Sequence, residues 1–283
     1  MSKILRAVAK SSAVTKVLQT VETSSLVYQI IQTLPPLSLL VFSFYIGCGV
    51  NWILVDALFA IILFIIICAL FYYAQDLLLY YPNEPATSRL FVPSPSHYGD
   101  LNYENVTITT TDGTEIHAFF IKHYKSKEKP TIIMLHGNAG NIGYRVGNAN
   151  RLLNECGTNV LLLEYRGYGL SGGVISETGL YNDGISAVKY LKSRPDVDPN
   201  RIILHGRSLG GAVAINVAVQ DTCSDVQAII IENTFTTLSD IAKRVLNISL
   251  VKYIPDWCYK NKYRSIEKIA NVRHPTLFLS GRF

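Results

Sequence analysis

Residues Arg201–Val219 read RIILHGRSLGGAVAINVAV, an apolar run broken by Gly206-Arg207-Ser208-Leu209-Gly210 and resumed by a stretch of small residues. Arg201 to Gly206 has the composition of a buried strand, and Leu209 to Val219 has helical length. A serine between them, with glycines two positions to either side, fits a strained strand-to-helix turn in which neighbouring backbone must approach without Cβ clashes. The bare pattern is weak, since at ~7% Gly and a similar share of Ser it arises by chance in roughly one chain in ten of this length. The flanking strand and helix give it meaning. In that context Ser208 is a candidate nucleophile, with its Oγ at a helix N-terminus, where partial positive charge favours a developing oxyanion.

A second strand, TIIML, runs into His136-Gly137-Asn138-Ala139-Gly140. Such a loop brings a backbone N–H towards the serine, so Asn138 and Leu209 are the expected oxyanion donors, both through the main chain. His136 precedes the loop's glycine and reads as a residue that fixes the loop by hydrogen bonding. The apolar runs TIIML, NVLLLE, RIILHG, AIIIE and TLFLS alternate with segments of helical length at Asn141–Cys156, Glu177–Ser193, Ser208–Val219 and Leu238–Leu246. Strands this apolar are buried on both faces, which predicts a mostly parallel sheet wrapped by helices. Ahead of them, Asn105–Thr110 and Glu115–Lys122 flank Thr111-Asp-Gly-Thr, a hairpin signal.

The N-terminal region has a different character. Ala57 to Ala74 carries no charge, and as a helix it spans about 27 Å at ~1.5 Å per residue, enough to cross a hydrocarbon core. Tyr72, Tyr73, Tyr80 and Tyr81 suit the aromatic belt at its exit. The expected layout is a cytosolic segment over 1–36, a membrane anchor over 37–79 with its span at about 57–74, a proline-rich linker over 80–99, and the catalytic-type domain over 100–283. Four Lys/Arg in the first sixteen residues put the N-terminus in the cytosol and the domain on the lumenal or extracellular side. A second span at Leu37–Val55 would return the domain to the cytosol, but Asp56 alone makes a poor helical hairpin turn. Asn105-Val-Thr and Asn247-Ile-Ser are glycosylation candidates in the lumenal case.

Composition excludes several classes. The net charge of +5 leaves the part after Gln75 only slightly basic, and no basic stripe interleaved with aromatics appears, so no nucleic-acid partner is expected. The five cysteines form no CxxC pair, and neither a metal site nor a disulfide scaffold is indicated. Gly167-Tyr-Gly169-Leu-Ser-Gly172 matches the dinucleotide pattern GxGxxG. The next helix, however, is expected to start near Ser176, and the following strand RIILHG lacks the acidic residue that holds a ribose.

The stretches QDLLLYYP, HGNAGNIGYR, YRGYGLSGG, GRSLGGAVAI, ENTF and WCYKNK together resemble the α/β-hydrolase family over about Val55 to Gly281. The resemblance implies the α/β-hydrolase fold behind an N-terminal transmembrane helix. It also implies a serine hydrolase of acyl ester, thioester or amide bonds without a cofactor, whose partners are the bilayer and an acylated small-molecule or protein substrate. Relatives in the broader group remove palmitate from proteins. Family order is Ser, then Asp or Glu, then His, with the acid just after the strand corresponding to TLFLSG. No such acid or histidine occurs before Phe283, so the last strand and helix of the fold are expected to be absent and the chain as given to be inactive or insoluble. His274, ahead of its strand, falls at the wrong end of the sheet to serve. A membrane-tethered binding protein without a triad is the alternative.

Overall fold

The computed structural model describes residues 52–245 and 254–281. Two compact units are formed, Met1–Ile67 and Cys68–Phe283. A helix, α1 (Trp52–Leu79), begins in the first and ends in the second. Its stretch Leu54–Leu79 is long and apolar enough to cross a membrane. The helix contains the expected span at 57–74 and runs past it to Leu79 with Asp76 inside it. The segment 1–36 and the possible span at Leu37–Val55 lie outside the described residues, apart from the helical start at 52–55.

The second unit is built on one seven-stranded sheet of β1 (Tyr103–Thr109), β2 (Glu115–Ile121), β3 (Thr131–Leu135), β4 (Asn159–Leu163), β5 (Ile202–Arg207), β6 (Ala228–Glu232) and β7 (Thr276–Leu279), in the order β1-β2-β4-β3-β5-β6-β7. The β1–β2 hairpin pairs Tyr103 with Ile121 through to Thr109 with Glu115, and β2 joins β4 antiparallel. All remaining pairs are parallel.

The central strands β3 and β4 are buried at every position, which is why their sequences show no polar alternation. Their side chains divide between two cores. Ile133, Leu135, Leu161 and Leu163 pack with α3 (Glu177–Lys192) and α4 (Leu209–Ala218) on one face. Ile132, Met134, Val160 and Leu162 pack on the other with α2 (Val146–Cys156). Helix α2 starts later than its sequence suggested. Asn141 accepts from the Gly143 N–H at 3.0 Å and donates to the carbonyls of Ser88 and Phe91, both at 2.9 Å, so a 3₁₀ turn over Ile142–Arg145 precedes it. Helix α5 (Leu238–Val245) follows β6.

Connections leave β3 towards β4 on one side and β5 towards β6 on the other. That reversal makes the C-terminal ends of β3 and β5 the crevice of the sheet, where open parallel sheets bind ligands. At the far edge Leu277, Phe278 and Leu279 of β7 are exposed.

The reading of 80–99 as a linker is corrected. Tyr80 is 5% exposed, its hydroxyl 2.7 Å from that of Tyr263, and Arg89 donates to the carbonyls of Gly169 and Ser171 at 2.9 Å. The prolines shape a packed segment within the second unit, and Tyr80 is a buried anchor, not a belt residue. Asn105 sits exposed on edge strand β1, in contact with His117. Asn247 lies outside the described residues.

Candidate active site

Ser208 stands between β5 and α4 with φ 52° and ψ −116°, a conformation costly for a residue with a Cβ. Both of its backbone polar groups are held. Its N–H donates to the Glu232 carbonyl at 2.8 Å, extending the ladder with β6 by one residue. Its own carbonyl accepts from Thr234 Oγ1 at 2.7 Å and from the Gly211 N–H at 3.0 Å. Strain at this position is sustained by fixed partners on two sides.

The flanking glycines are sterically required. A Cβ on Gly206 would lie 2.2 Å from the Gly210 carbonyl oxygen, and one on Gly210 would lie 2.0 Å from that of Leu135, at the end of β3. The turn thus folds onto itself and onto the neighbouring strand. This close approach brings the β3 loop to the serine: a Cβ built on Gly137 would be 3.8 Å from Ser208 Cβ.

The loop is itself tied down. His136 Nδ1 lies 2.7 Å from the Gly137 carbonyl, and its Nε2 is 3.2 Å from Glu164 Oε1, both side chains being buried. Glu164 Oε2 accepts from the Ile142 N–H at 3.1 Å. The Asn138 carbonyl accepts from the Tyr81 N–H at 2.8 Å and from Tyr168 Oη at 3.0 Å. Among the described residues the Asn138 N–H has no hydrogen-bond acceptor, and Leu209, first in its helix, has no intrahelical one. Two main-chain donors are therefore uncommitted around Ser208.

No imidazole or carboxylate is hydrogen-bonded to Ser208 Oγ among the described residues. Glu232 is turned to β5, with Oε2 3.3 Å from His205 Nε2 and Oε1 3.4 Å from Arg207 Nε. His274 contacts the Ser224 carbonyl at 3.2 Å, beyond the N-terminal end of β7 and at the opposite end of the sheet from Ser208. Asp256 belongs to the 3₁₀ turn Asp256–Cys258 and lines a separate polar cleft with Thr237, Tyr259 and Lys262.

Sequence reading missed a small cavity of about 30 Å³ beside Gly137, lined in part by Arg145, Asn148, His205, Arg207 and Glu232. Burial pushes the His205 imidazole pKa down against the opposing pull of Glu232. Burial, and then Arg207, lower that of Arg145. The available signal was strand alternation, which puts His205 and Arg207 on one face of β5. No described cluster of His, Cys, Asp and Glu could hold a metal. The loop at Gly167–Gly172 is followed by α3 only at Glu177, with Ser176 accepting from the Gly179 N–H as its cap, so no glycine opens a phosphate-facing helix there.

A parallel sheet with a strained serine at its crevice, backed by a helix N-terminus and facing a glycine loop, defines the α/β-hydrolase class. Residues 126–277 match the family described as serine aminopeptidase, S33. The alpha/beta hydrolase domain-containing protein WAV2 of Arabidopsis thaliana is 34% identical over 220 residues, covering 73% of this chain and 70% of that protein. Protein bem46 of Schizosaccharomyces pombe is 34% identical over 217 residues, covering 75% and 70%. The chain belongs to the α/β-hydrolase family. Among solved structures, an alpha-beta hydrolase from Vibrio vulnificus superimposes with a TM-score of 0.58 at 20% identity, covering 70% of this chain and 74% of that one. An esterase of Pyrococcus furiosus gives 0.53 at 22% identity, covering 71% and 75%. These two share the fold.

Proposed function

We propose that the protein is a membrane-anchored serine hydrolase in which Ser208 Oγ attacks the carbonyl carbon of an acyl ester, thioester or amide. The Asn138 and Leu209 N–H groups hold the resulting oxyanion. The observation that carries this reading is the strained Ser208 backbone, pinned at both its N–H and its C=O, with the glycine loop after β3 packed close to its Cβ. As the tetrahedral intermediate collapses, the alcohol, thiol or amine leaves with a proton and the acyl group stays on Ser208 until water removes it. The hydroxyl proton goes to a general base that no described residue supplies, and family order places it, with its acid partner, after β7. Palmitate on protein cysteines is the substrate that the resemblance to the broader group suggests for a membrane-anchored member. Through the six stretches QDLLLYYP, HGNAGNIGYR, YRGYGLSGG, GRSLGGAVAI, ENTF and WCYKNK the chain also resembles alpha/beta hydrolase domain-containing protein 13.

A fluorophosphonate probe tests the assignment. Labelling of the protein in membranes that is lost completely in Ser208→Ala supports the enzyme reading. A general base contributes ~10²–10⁴-fold to such a step, so an unactivated serine would be essentially unlabelled over the same time. That outcome favours the second reading, a tethered binding protein, which the lack of an imidazole at Ser208 among the described residues supports.

For topology we propose a single span, a cytosolic N-terminus and a lumenal or extracellular domain. A glycosidase-sensitive mobility shift, lost in Asn105→Gln with Asn247→Gln, is the expected result. Full digestion of the domain by protease added to intact microsomes would reverse the assignment.

A further inference from the structure

Residues 75–81, where α1 ends, are fastened at two places. On one side they meet the segment Cys258–Tyr263. Gln75 donates to the Cys258 carbonyl at 2.9 Å and accepts from the Lys260 N–H at 2.8 Å. Asp76 accepts from Asn261 Nδ2 at 2.7 Å and pairs with Lys260, while the Tyr80 hydroxyl lies 2.7 Å from that of Tyr263. On the other side they meet the loop at Ser208. The Asn138 side-chain amide donates to the Leu79 carbonyl at 2.9 Å, and the Tyr81 N–H donates to the Asn138 carbonyl at 2.8 Å. Gly140 returns a hydrogen bond to the Tyr81 carbonyl at 3.3 Å, and Tyr81 and Ala139 form a parallel bridge.

Peptide planarity gives these contacts a consequence. The Asn138 N–H shares a rigid plane with the Gly137 carbonyl, which His136 Nδ1 engages, so its direction follows from that carbonyl's. The next plane is set by the Asn138 carbonyl, held by Tyr81 and by Tyr168 Oη. Residue 138 is thereby gripped through the plane before it, the plane after it and its own side chain. Two of those three grips come wholly or partly from the end of α1.

We infer that the end of the apolar helix, acting through the Leu79 carbonyl, the Tyr81 N–H and the Asn138 side chain, is a positioning element for the oxyanion donor at Ser208. This rests on Ser208 being the nucleophile. The helix is then more than a tether: residues 75–81 set how well the site holds developing charge. Asn138, through its side chain, and Tyr168 are positioning residues, because they act on the donor amide and not on the substrate.

The test uses the full chain in membranes and a fluorophosphonate probe, resolving apparent affinity from the maximal labelling rate. A donor displaced from the developing charge weakens the transition state and leaves the encounter unchanged. Losing such a donor outright costs ~10²–10³-fold, so loosening it should cost about tenfold. Asn138→Ala and Asn138→Asp are expected to lower the maximal rate about tenfold with affinity within twofold of wild type, and hydrogen exchange of the Gly137–Asn141 peptide should quicken in both. Tyr168→Phe should act in the same direction, and it carries the test should the Asn138 variants not fold. Wild type labelled at Ser208 with all folded variants labelling within twofold of it overturns the inference alone. Wild type unlabelled, or labelled equally in Ser208→Ala, overturns the nucleophile assignment and the inference with it.

Discussion

Gly210→Ala is expected to lower the melting temperature of the globular unit, although the same substitution inside most helices raises stability by about 1 kcal/mol. Gly210 is the second residue of α4, and an added Cβ would sit 2.0 Å from the Leu135 oxygen, 2.5 Å from its carbonyl carbon and 2.7 Å from the His136 oxygen. All three are backbone atoms at the end of a fully buried strand, so no rotamer change relieves the clash. Overpacking costs typically ~1–3 kcal/mol, and an obstacle made of main chain belongs at or above the top of that range. A net loss of about 3 kcal/mol corresponds to roughly 6–12 °C for a unit of this size. Gly147→Ala is the matched control, because it lies in α2 and its Cβ would meet only Tyr98 at 3.6 Å. That variant should be neutral or slightly stabilised. Thermal melts of the two settle the point: equal behaviour would show that the β3 end and the elbow are not in the close contact described.

That contact also shows what a sequence can and cannot disclose. Gly206 and Gly210 were legible because the steric demand of the turn leaves a fixed spacing, and the flanking strand and helix are local. The parallel core was legible for a similar reason, since strands such as TIIML and NVLLL are buried at every position and show it as unbroken apolar runs. Residues 80–99 misled because their partners are remote. Four prolines imply a linker to any local reading, whereas Tyr80 is fixed by Asn261 and Tyr263, and Ser88 by Asn141. The charge at Asp76 likewise finds its partners far along the chain. Asp76 ends an uncharged window, but Asn261 and Lys260 satisfy it and the helix runs on to Leu79. The grip on Asn138 was hidden in the same way, because its partners come from a stretch read half as anchor and half as linker.

The second large effect is expected at Asp183, the buried partner of Arg166 in the stretch YRGYGLSGG. Asp183 on α3 is fully buried, accepting from the Arg166 N–H at 2.9 Å and from Arg166 Nε at 2.9 Å. The same guanidinium reaches outward to Asp112 at 2.7 Å, whose side chain is 46% exposed. Arg166 thus joins a buried and an exposed carboxylate, and the two are not equivalent. Burial pushes the Asp183 carboxyl up against the donors of Arg166, while Arg166 holds that of Asp112 well below the usual carboxylate range. Asp183→Ala leaves a backbone amide and a guanidinium edge unpaired in the interior, and breaking a buried pair from one side costs about 3–5 kcal/mol. Asp112→Ala removes a solvent-screened partner and should cost no more than about 1 kcal/mol. Denaturant titrations of the two variants are expected to differ by at least twofold in the stability lost. Replacing the pair together, Arg166→Met with Asp183→Leu, should recover much of the single-variant loss, because no uncompensated charge is then buried. A double variant as unstable as Asp183→Ala would instead show that the Asp183 hydrogen bond to the Arg166 backbone, and not charge pairing, holds the loop between β4 and α3.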